Sequence, residues 1–174
     1  ISKSFAATGV RVGWALGPTD VLIKMRGINS HIGAWAPMAE QKAVAKYLLK
    51  TEQIDKYFLN FKSEINERLQ RIFAGLQQMK KEGFTVDSIS PEAAIYLTIQ
   101  IDYAGKTTAS GKLLATQADV TTYVLDEAKI AIVPFYAFGA NRESSWYRLS
   151  VGTCKKEEID EMLGALKNAL SKLS

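Results

Sequence analysis

A single apolar stripe between residues 58 and 79 constrains the fold of this 174-residue chain more than any other feature. Its apolar residues recur at intervals of three and four, which places them on one face of a helix about five turns long. A helix with one apolar face has to bury that face against another layer of structure. The stripe consists of Phe58, Phe61, Ile65, Leu69, Ile72, Leu76 and Met79, and Gly83 is placed to end the helix.

Beyond the stripe the apolar period changes to two, which is typical of strands that are buried on one face. Strands are predicted for residues 94–101 and 146–151, and for 129–133 with Pro134 as its end. Helices are predicted for residues 119–127 and for a closing apolar stripe. This stripe consists of Ile159, Met162, Leu163, Leu166, Leu170 and Leu173. The order of elements predicts an α+β fold with helices packed on one face of a small sheet.

The first 50 residues give weaker signals. The apolar run Val10–Ala15 predicts a buried strand. Thr19 can cap a helix over 20–26, which Gly27 would interrupt. Pro37 suits the first turn of a second helix. The inner face of that second helix would consist of Met38, Ala45, Leu48 and Leu49.

Composition excludes several classes of protein. The net charge is +4, but basic and acidic residues alternate, so a nucleic-acid surface is not indicated. No apolar stretch approaches the roughly 18 residues of a membrane span. His31 and Cys154 are too isolated for a metal site, and one cysteine excludes an internal disulfide. Gly105-Lys106-Thr107 lacks the first glycine of a phosphate loop.

Lys3 and Arg11 stand close together near the start of the chain, separated mostly by small residues. A lysine amine can form a Schiff base with an aldehyde, and a guanidinium can hold a phosphate as a fork of donors. An aldehyde and a phosphate on one small molecule describe pyridoxal phosphate.

The run around Lys3 resembles the lysine signature of the class I/II pyridoxal-phosphate aminotransferases of fold type I. The matching residues are Ser2, Lys3, Ala6, Ala7, Gly9, Arg11, Val12 and Gly13. The resemblance implies that Lys3 forms the Schiff base and later moves a proton at the substrate α-carbon. It also implies that Arg11 binds the cofactor phosphate, with Ser2 as a weaker phosphate ligand. A solvated lysine and a surface arginine are the plain alternatives.

Arg148 gives the second signal. Alternation along residues 146–151 places Tyr147, Leu149 and Val151 toward the helices and Arg148 on the opposite face. An arginine in mid-strand needs an anionic partner or it costs stability. Arg148-Leu149-Ser150 resembles the family segment whose arginine binds the substrate α-carboxylate, and a structural ion pair is the alternative.

Two further segments resemble the edge of the family's substrate cleft. Residues 134–139 resemble the loop on the substrate side, although Phe135 stands where the family often has glycine. Tyr96 follows a segment that resembles another cleft edge, but a core tyrosine fits the pattern equally well.

The resemblance implies the C-terminal part of a fold-type I aminotransferase. Residues 1–48 would be the tail of the large cofactor-binding domain, and residues 49–174 the interdomain helix and small domain. The chain begins with Ile1 inside the lysine motif, so we expect a piece of a longer enzyme that is inactive alone. The whole enzyme would be a cytoplasmic, biosynthetic homodimer that binds an amino acid and a 2-oxo acid.

Three alternatives stay open at this point. A related fold-type I enzyme could be a decarboxylase, a lyase or an acyl-transferring synthase, although an amino-acid decarboxylase has to leave the α-carboxylate unclamped. The chain could be part of an aminotransferase-like sensor domain in a transcription regulator. It could also be an inert product of proteolysis.

Overall fold

The computed structural model describes residues 1–174. The chain divides into two compact units, Ile1–Asn60 and Phe61–Ser174. The long third helix contributes residues to both units. No helix combines the length and the apolarity that crossing a membrane would need.

The first unit is helical and has few buried residues. It contains α1 (Thr19–Ile32), α2 (Met38–Tyr47) and the beginning of α3 (Thr51–Lys81). Its buried apolar side chains are Val12, Val44 and Ile54, whereas many large apolar side chains of this unit are exposed.

The predicted strand over Val10–Ala15 is wrong. Residues 8–10 form a 3₁₀ turn, Arg11 is left-handed with φ 54°, and the following residues are irregular. Within the run only Val12 is buried, while Trp14 is 59% exposed. A strand needs a neighbour to satisfy its backbone hydrogen bonds, and the first unit contains no other strand.

The first two helices also differ from the prediction. Helix α1 continues through Gly27, since an interior glycine costs only about 1 kcal/mol relative to alanine. Pro18 and Pro37 occupy the N-cap positions, so Thr19 is the first helical residue of α1 rather than its cap. The predicted inner face of α2 is wrong, because Val44 is its buried residue. Met38, Ala45 and Leu49 are exposed, and Leu48 is half-buried.

Helix α3 confirms the apolar stripe. From Ile65 to Met79 every predicted stripe residue is buried, and Phe58 and Phe61 are partly buried. The helix ends at Lys81, and Gly83 follows in a left-handed conformation with φ 95°. The backbone N–H of Gly83 donates to the Lys80 carbonyl at 3.1 Å, which satisfies one of the last helical carbonyls.

The second unit contains a four-stranded antiparallel sheet in the order β1-β2-β4-β3. The strands are β1 (Val86–Ser88), β2 (Tyr96–Ile101), β3 (Val133–Pro134) and β4 (Trp146–Ser150). Strand β1 was not predicted. The predicted strand over 129–133 is wrong except for Val133: Lys129 is left-handed with φ 58° and ends a helix.

Helices α4 (Gln117–Ala128) and α5 (Ile159–Ser171) form one core with α3 and the sheet. Helix α4 begins with a capping box, in which the Asp119 backbone N–H donates to Thr116 Oγ1 at 3.2 Å. Alternate residues of β2 and β4 enter the core, including Leu97, Ile99, Tyr147 and Leu149. The predicted α+β class, with helices on one sheet face, is confirmed.

Candidate functional site

Lys3 lies in a tight turn, and its side chain is exposed. The Phe5 N–H donates to the Ile1 carbonyl at 3.1 Å, and the Ala6 N–H donates to the Lys3 carbonyl at 3.4 Å. Ala6 adopts φ 48°, a left-handed conformation that non-glycine residues seldom adopt. The amine of Lys3 forms no salt bridge or hydrogen bond, so it is available to a ligand.

Phe5 attaches this turn to the helices of the first unit. Its ring centroid lies 5.6 Å from Tyr47, 5.9 Å from Tyr57 and 5.0 Å from Phe58. Burial raises the pKa of Tyr57, and the neighbouring Tyr47 adds to the effect. Aromatic pairs at these separations are worth about 0.5–1.5 kcal/mol each beyond the area they bury. The residues beside Lys3 therefore have a fixed position within their unit.

Arg11 is exposed and left-handed. Its Nη1 donates to the Thr8 carbonyl at 2.9 Å, and no carboxylate is paired with the guanidinium. Arg11 lines an open groove together with Arg26, Asn29, Gln41 and Gly13, and no acidic side chain lines this groove. The left-handed backbone of Arg11 costs about 1–3 kcal/mol of strain, and such strain is often found where a ligand binds. The groove has the charge and the donors that suit an anion such as phosphate.

The structure does not bring all the predicted residues of the first unit to one surface. Ser2 is half-buried, and neither Ser2 nor Lys3 lines the groove that contains Arg11. The roles assigned to Ser2, Lys3 and Arg11 therefore stay predictions.

In the second unit, Arg148 lies at the middle of β4, between two partner strands. It pairs with Thr98 of β2 and with Val133 of β3. Its neighbours Tyr147 and Leu149 point into the core, and Arg148 is half-buried on the other face. The predicted orientation is thus confirmed.

The guanidinium of Arg148 has aromatic neighbours and no acidic partner. Its carbon lies 4.6 Å from the Tyr96 ring centroid and 4.5 Å from that of Phe138. The other half-buried cationic side chains all have carboxylate partners. These partners are Glu64 for Arg68, Asp160 for Arg71, and Glu64 with Glu67 for Lys156. The structural ion pair considered as the alternative for Arg148 is therefore absent.

The ring of Phe138 comes from a short turn that follows β3. Residues Phe135–Phe138 form a 3₁₀ turn, which Gly139 ends with φ 91°. The rings of Phe135 and Phe138 pack edge to face, with their centroids 6.3 Å apart. The contact between Phe138 and Arg148 was not predicted, because no periodicity links a turn to a strand. The contact of Tyr96 could have been found, since alternation puts it on the same sheet face as Arg148.

A family model decides what kind of protein this is. The model named "Aminotransferase class I and II" matches residues 1–166. The chain belongs to this family.

Relatives of the aminotransferase class I and II family cover nearly the whole chain. The aspartate aminotransferase of Rhizobium meliloti (strain 1021) is 31% identical over 179 residues, covering 100% of this chain and 40% of its own length. The probable aspartate/prephenate aminotransferase of Rickettsia prowazekii (strain Madrid E) is 29% identical over 175 residues, covering 99% of this chain and 41% of its own length. The chain thus spans about two fifths of the length of these relatives.

Solved aminotransferase structures share the fold. The aspartate aminotransferase of Rhizobium meliloti superimposes with a TM-score of 0.78 at 29% identity, covering 99% of this chain and 41% of that one. The aromatic aminotransferase of Pyrococcus horikoshii OT3 gives a TM-score of 0.79 at 25% identity, covering 98% and 41%. The family and the partial aminotransferase fold predicted from the sequence are confirmed.

Proposed function

We propose that the protein is a pyridoxal-phosphate-dependent aminotransferase that transfers an amino group reversibly from an amino acid to a 2-oxo acid. The observation that carries this proposal is the guanidinium of Arg148, which is half-buried and lacks any carboxylate partner. A cation in this position favours an anionic ligand, because the ligand would satisfy donors that the protein leaves unpaired.

The residues of the first unit suit pyridoxal phosphate. The Lys3 amine is exposed and unpaired, as attachment to an aldehyde requires. Arg11 uses one guanidinium nitrogen for the Thr8 carbonyl and lines a groove without acidic side chains, as binding a phosphate requires. Ser2 is the weaker candidate for a phosphate contact. When bound, the cofactor supplies an electron sink for the substrate α-carbon.

Lys3 and Arg148 have complementary tasks in this proposal. The Nζ atom of Lys3 would act as the base that takes the proton from the substrate α-carbon and, once protonated, as the acid that gives a proton back. Arg148 binds the α-carboxylate through two parallel N–H donors and so fixes the position of the α-carbon. A clamped carboxylate is retained, which favours amino transfer over decarboxylation.

The substrate and the assembly are proposals that rest on the relatives. Several relatives are named as aspartate or aspartate/prephenate aminotransferases, so we propose a dicarboxylic amino acid such as aspartate as a donor. We also propose a homodimer in the cytoplasm with a biosynthetic task, as the family resemblance implies.

The test is a donor screen on the full-length protein loaded with pyridoxal phosphate. Each amino acid is added without an acceptor, and the change in the cofactor's absorbance reports the first half of the transfer. We expect L-aspartate to give a stoichiometric change that a 2-oxo acid reverses. Lys3→Ala should abolish the reaction yet keep some bound cofactor, because contacts of Arg11 with the phosphate do not require the lysine. Normal turnover by Lys3→Ala would exclude Lys3 from the reaction.

A further inference from the structure

An aromatic clamp surrounds Arg148 on the sheet face that points away from the helices. Thr98 is the direct cross-strand partner of Arg148, and Tyr96 lies two residues along β2 on the same face. Phe138 reaches the guanidinium from the 3₁₀ turn. We call Tyr96 and Phe138 the clamp residues.

An aromatic ring and a carboxylate affect the charge and the N–H donors of an arginine differently. A carboxylate neutralises the guanidinium and accepts its N–H groups. A ring contacts the cation through its π-face, which is attractive but leaves the charge and the N–H donors available. Arg148 forms no hydrogen bond or salt bridge, and its guanidinium contacts the rings of the two clamp residues instead.

We propose that Tyr96 and Phe138 are positioning residues, which hold Arg148 in one orientation so that its free N–H fork receives a substrate carboxylate. This inference rests on the proposed function and adds the means by which an unpaired arginine keeps its position before the substrate binds. A carboxylate side chain could also hold the arginine, but it would compete with the substrate for the same donors. Rings avoid that competition.

The two clamp residues differ in how firmly the fold fixes them. Tyr96 is held by strand pairing with Ser150, whereas Phe138 lies on a four-residue turn and is 54% exposed. Phe138 can therefore be changed with little effect on the core. Leu113 has the same exposed fraction in a loop of the same unit and serves as the matched control.

The first test is steady-state kinetics of the full-length, cofactor-loaded protein with L-aspartate as the varied donor. We expect Phe138→Leu and Tyr96→Leu each to raise the KM for aspartate by about two- to fivefold, the size of one partly exposed cation–π contact, with kcat nearly unchanged. Tyr96→Phe and Phe138→Tyr keep a ring and should restore the normal KM. Leu113→Ala should leave both constants unchanged. An unchanged KM in both leucine variants would overturn the clamp.

Nuclear magnetic resonance gives a second readout that does not depend on activity. Protons of a guanidinium above a ring face resonate upfield, so the Arg148 side-chain signals should move downfield in Phe138→Leu and Tyr96→Leu. Signals at the positions of an ordinary solvated arginine in the unsubstituted protein would overturn the clamp even if a variant failed to fold. Arg148→Leu separates the two proposals: loss of aspartate use in this variant, with normal KM in the ring variants, overturns the clamp alone. Unchanged aspartate use in Arg148→Leu overturns the carboxylate role as well.

Discussion

Replacing Tyr147 with phenylalanine removes one oxygen from the centre of the second unit. Tyr147 is fully buried, and its hydroxyl donates to Gln117 Oε1 at 2.7 Å, while Gln117 itself is 3% exposed. Tyr147 precedes Arg148, so its anchoring to α4 also fixes the strand that carries the arginine. The free energy of unfolding should fall by about 1–3 kcal/mol, because an acceptor in a site closed to water loses its donor.

The cost of this substitution should depend on pH. Burial raises the pKa of Tyr147 from 10.0 to about 12. The unfolded chain therefore releases this proton first as the pH rises. The contribution of the protonated Tyr147 hydroxyl to the free energy of unfolding is complete below pH 10. It is lost between pH 10 and 12, by about 3 kcal/mol in all. Phenylalanine has no proton to release, so the difference in stability between the two proteins should shrink over that range.

Urea unfolding followed by circular dichroism, repeated from about pH 8 upward, measures both effects. Tyr136→Phe is the control for the measurement at pH 8: its ring is half-buried, and its hydroxyl makes no hydrogen bond. Its stability should change by less than about 0.5 kcal/mol. If Tyr147→Phe matched that control, or if its cost stayed constant up to pH 12, the argument from the buried hydroxyl would be wrong.

Three further predictions concern the site and the helices. Arg148→Leu in the full-length protein should lower kcat/KM for amino-acid donors by roughly 30- to 5,000-fold, the equivalent of about 2–5 kcal/mol, and affect cofactor retention far less. Thr116→Ala should destabilise the second unit by about 1 kcal/mol in thermal unfolding, whereas Thr116→Ser should retain the capping box. In the 174-residue chain by itself, borohydride reduction with pyridoxal phosphate should label the exposed Lys3 no more than other exposed lysines; peptide mapping that found label only at Lys3 would contradict this.

Helices could be predicted from the sequence where their apolar face is long. The stripe from Phe58 to Met79 spans several turns, so its period of 3.6 outweighs local exceptions. Helix α1 shows the limit of reasoning from single residues: Gly27 was expected to interrupt it, but the surrounding helix formers outweigh a cost of about 1 kcal/mol.

Strands could be predicted only where partners exist. Residues 96–101 and 146–150 pair with each other along nearly their whole length, and their alternation survives in the structure. The run Val10–Ala15 is equally apolar but has no strand beside it in its unit. A strand's stability lies in hydrogen bonds to residues far along the chain, which a local pattern does not report.

The candidate site was also predictable only in part: the orientation of Arg148 followed from the sequence, but its contacts did not. Alternation was sufficient to place Arg148 on the open face of β4, because side-chain direction in a strand follows from position alone. The absence of an acid beside Arg148 is a property of packing, and it emerges only when the turn carrying Phe138 is seen against the strand. Arg68, Arg71 and Lys156 are half-buried like Arg148, yet each of them pairs with a carboxylate. Desolvation penalises an unpaired cation in all four places, so a fold under no other demand would supply an acid in the fourth place too. That it supplies rings instead is why we assign the missing anion to a ligand.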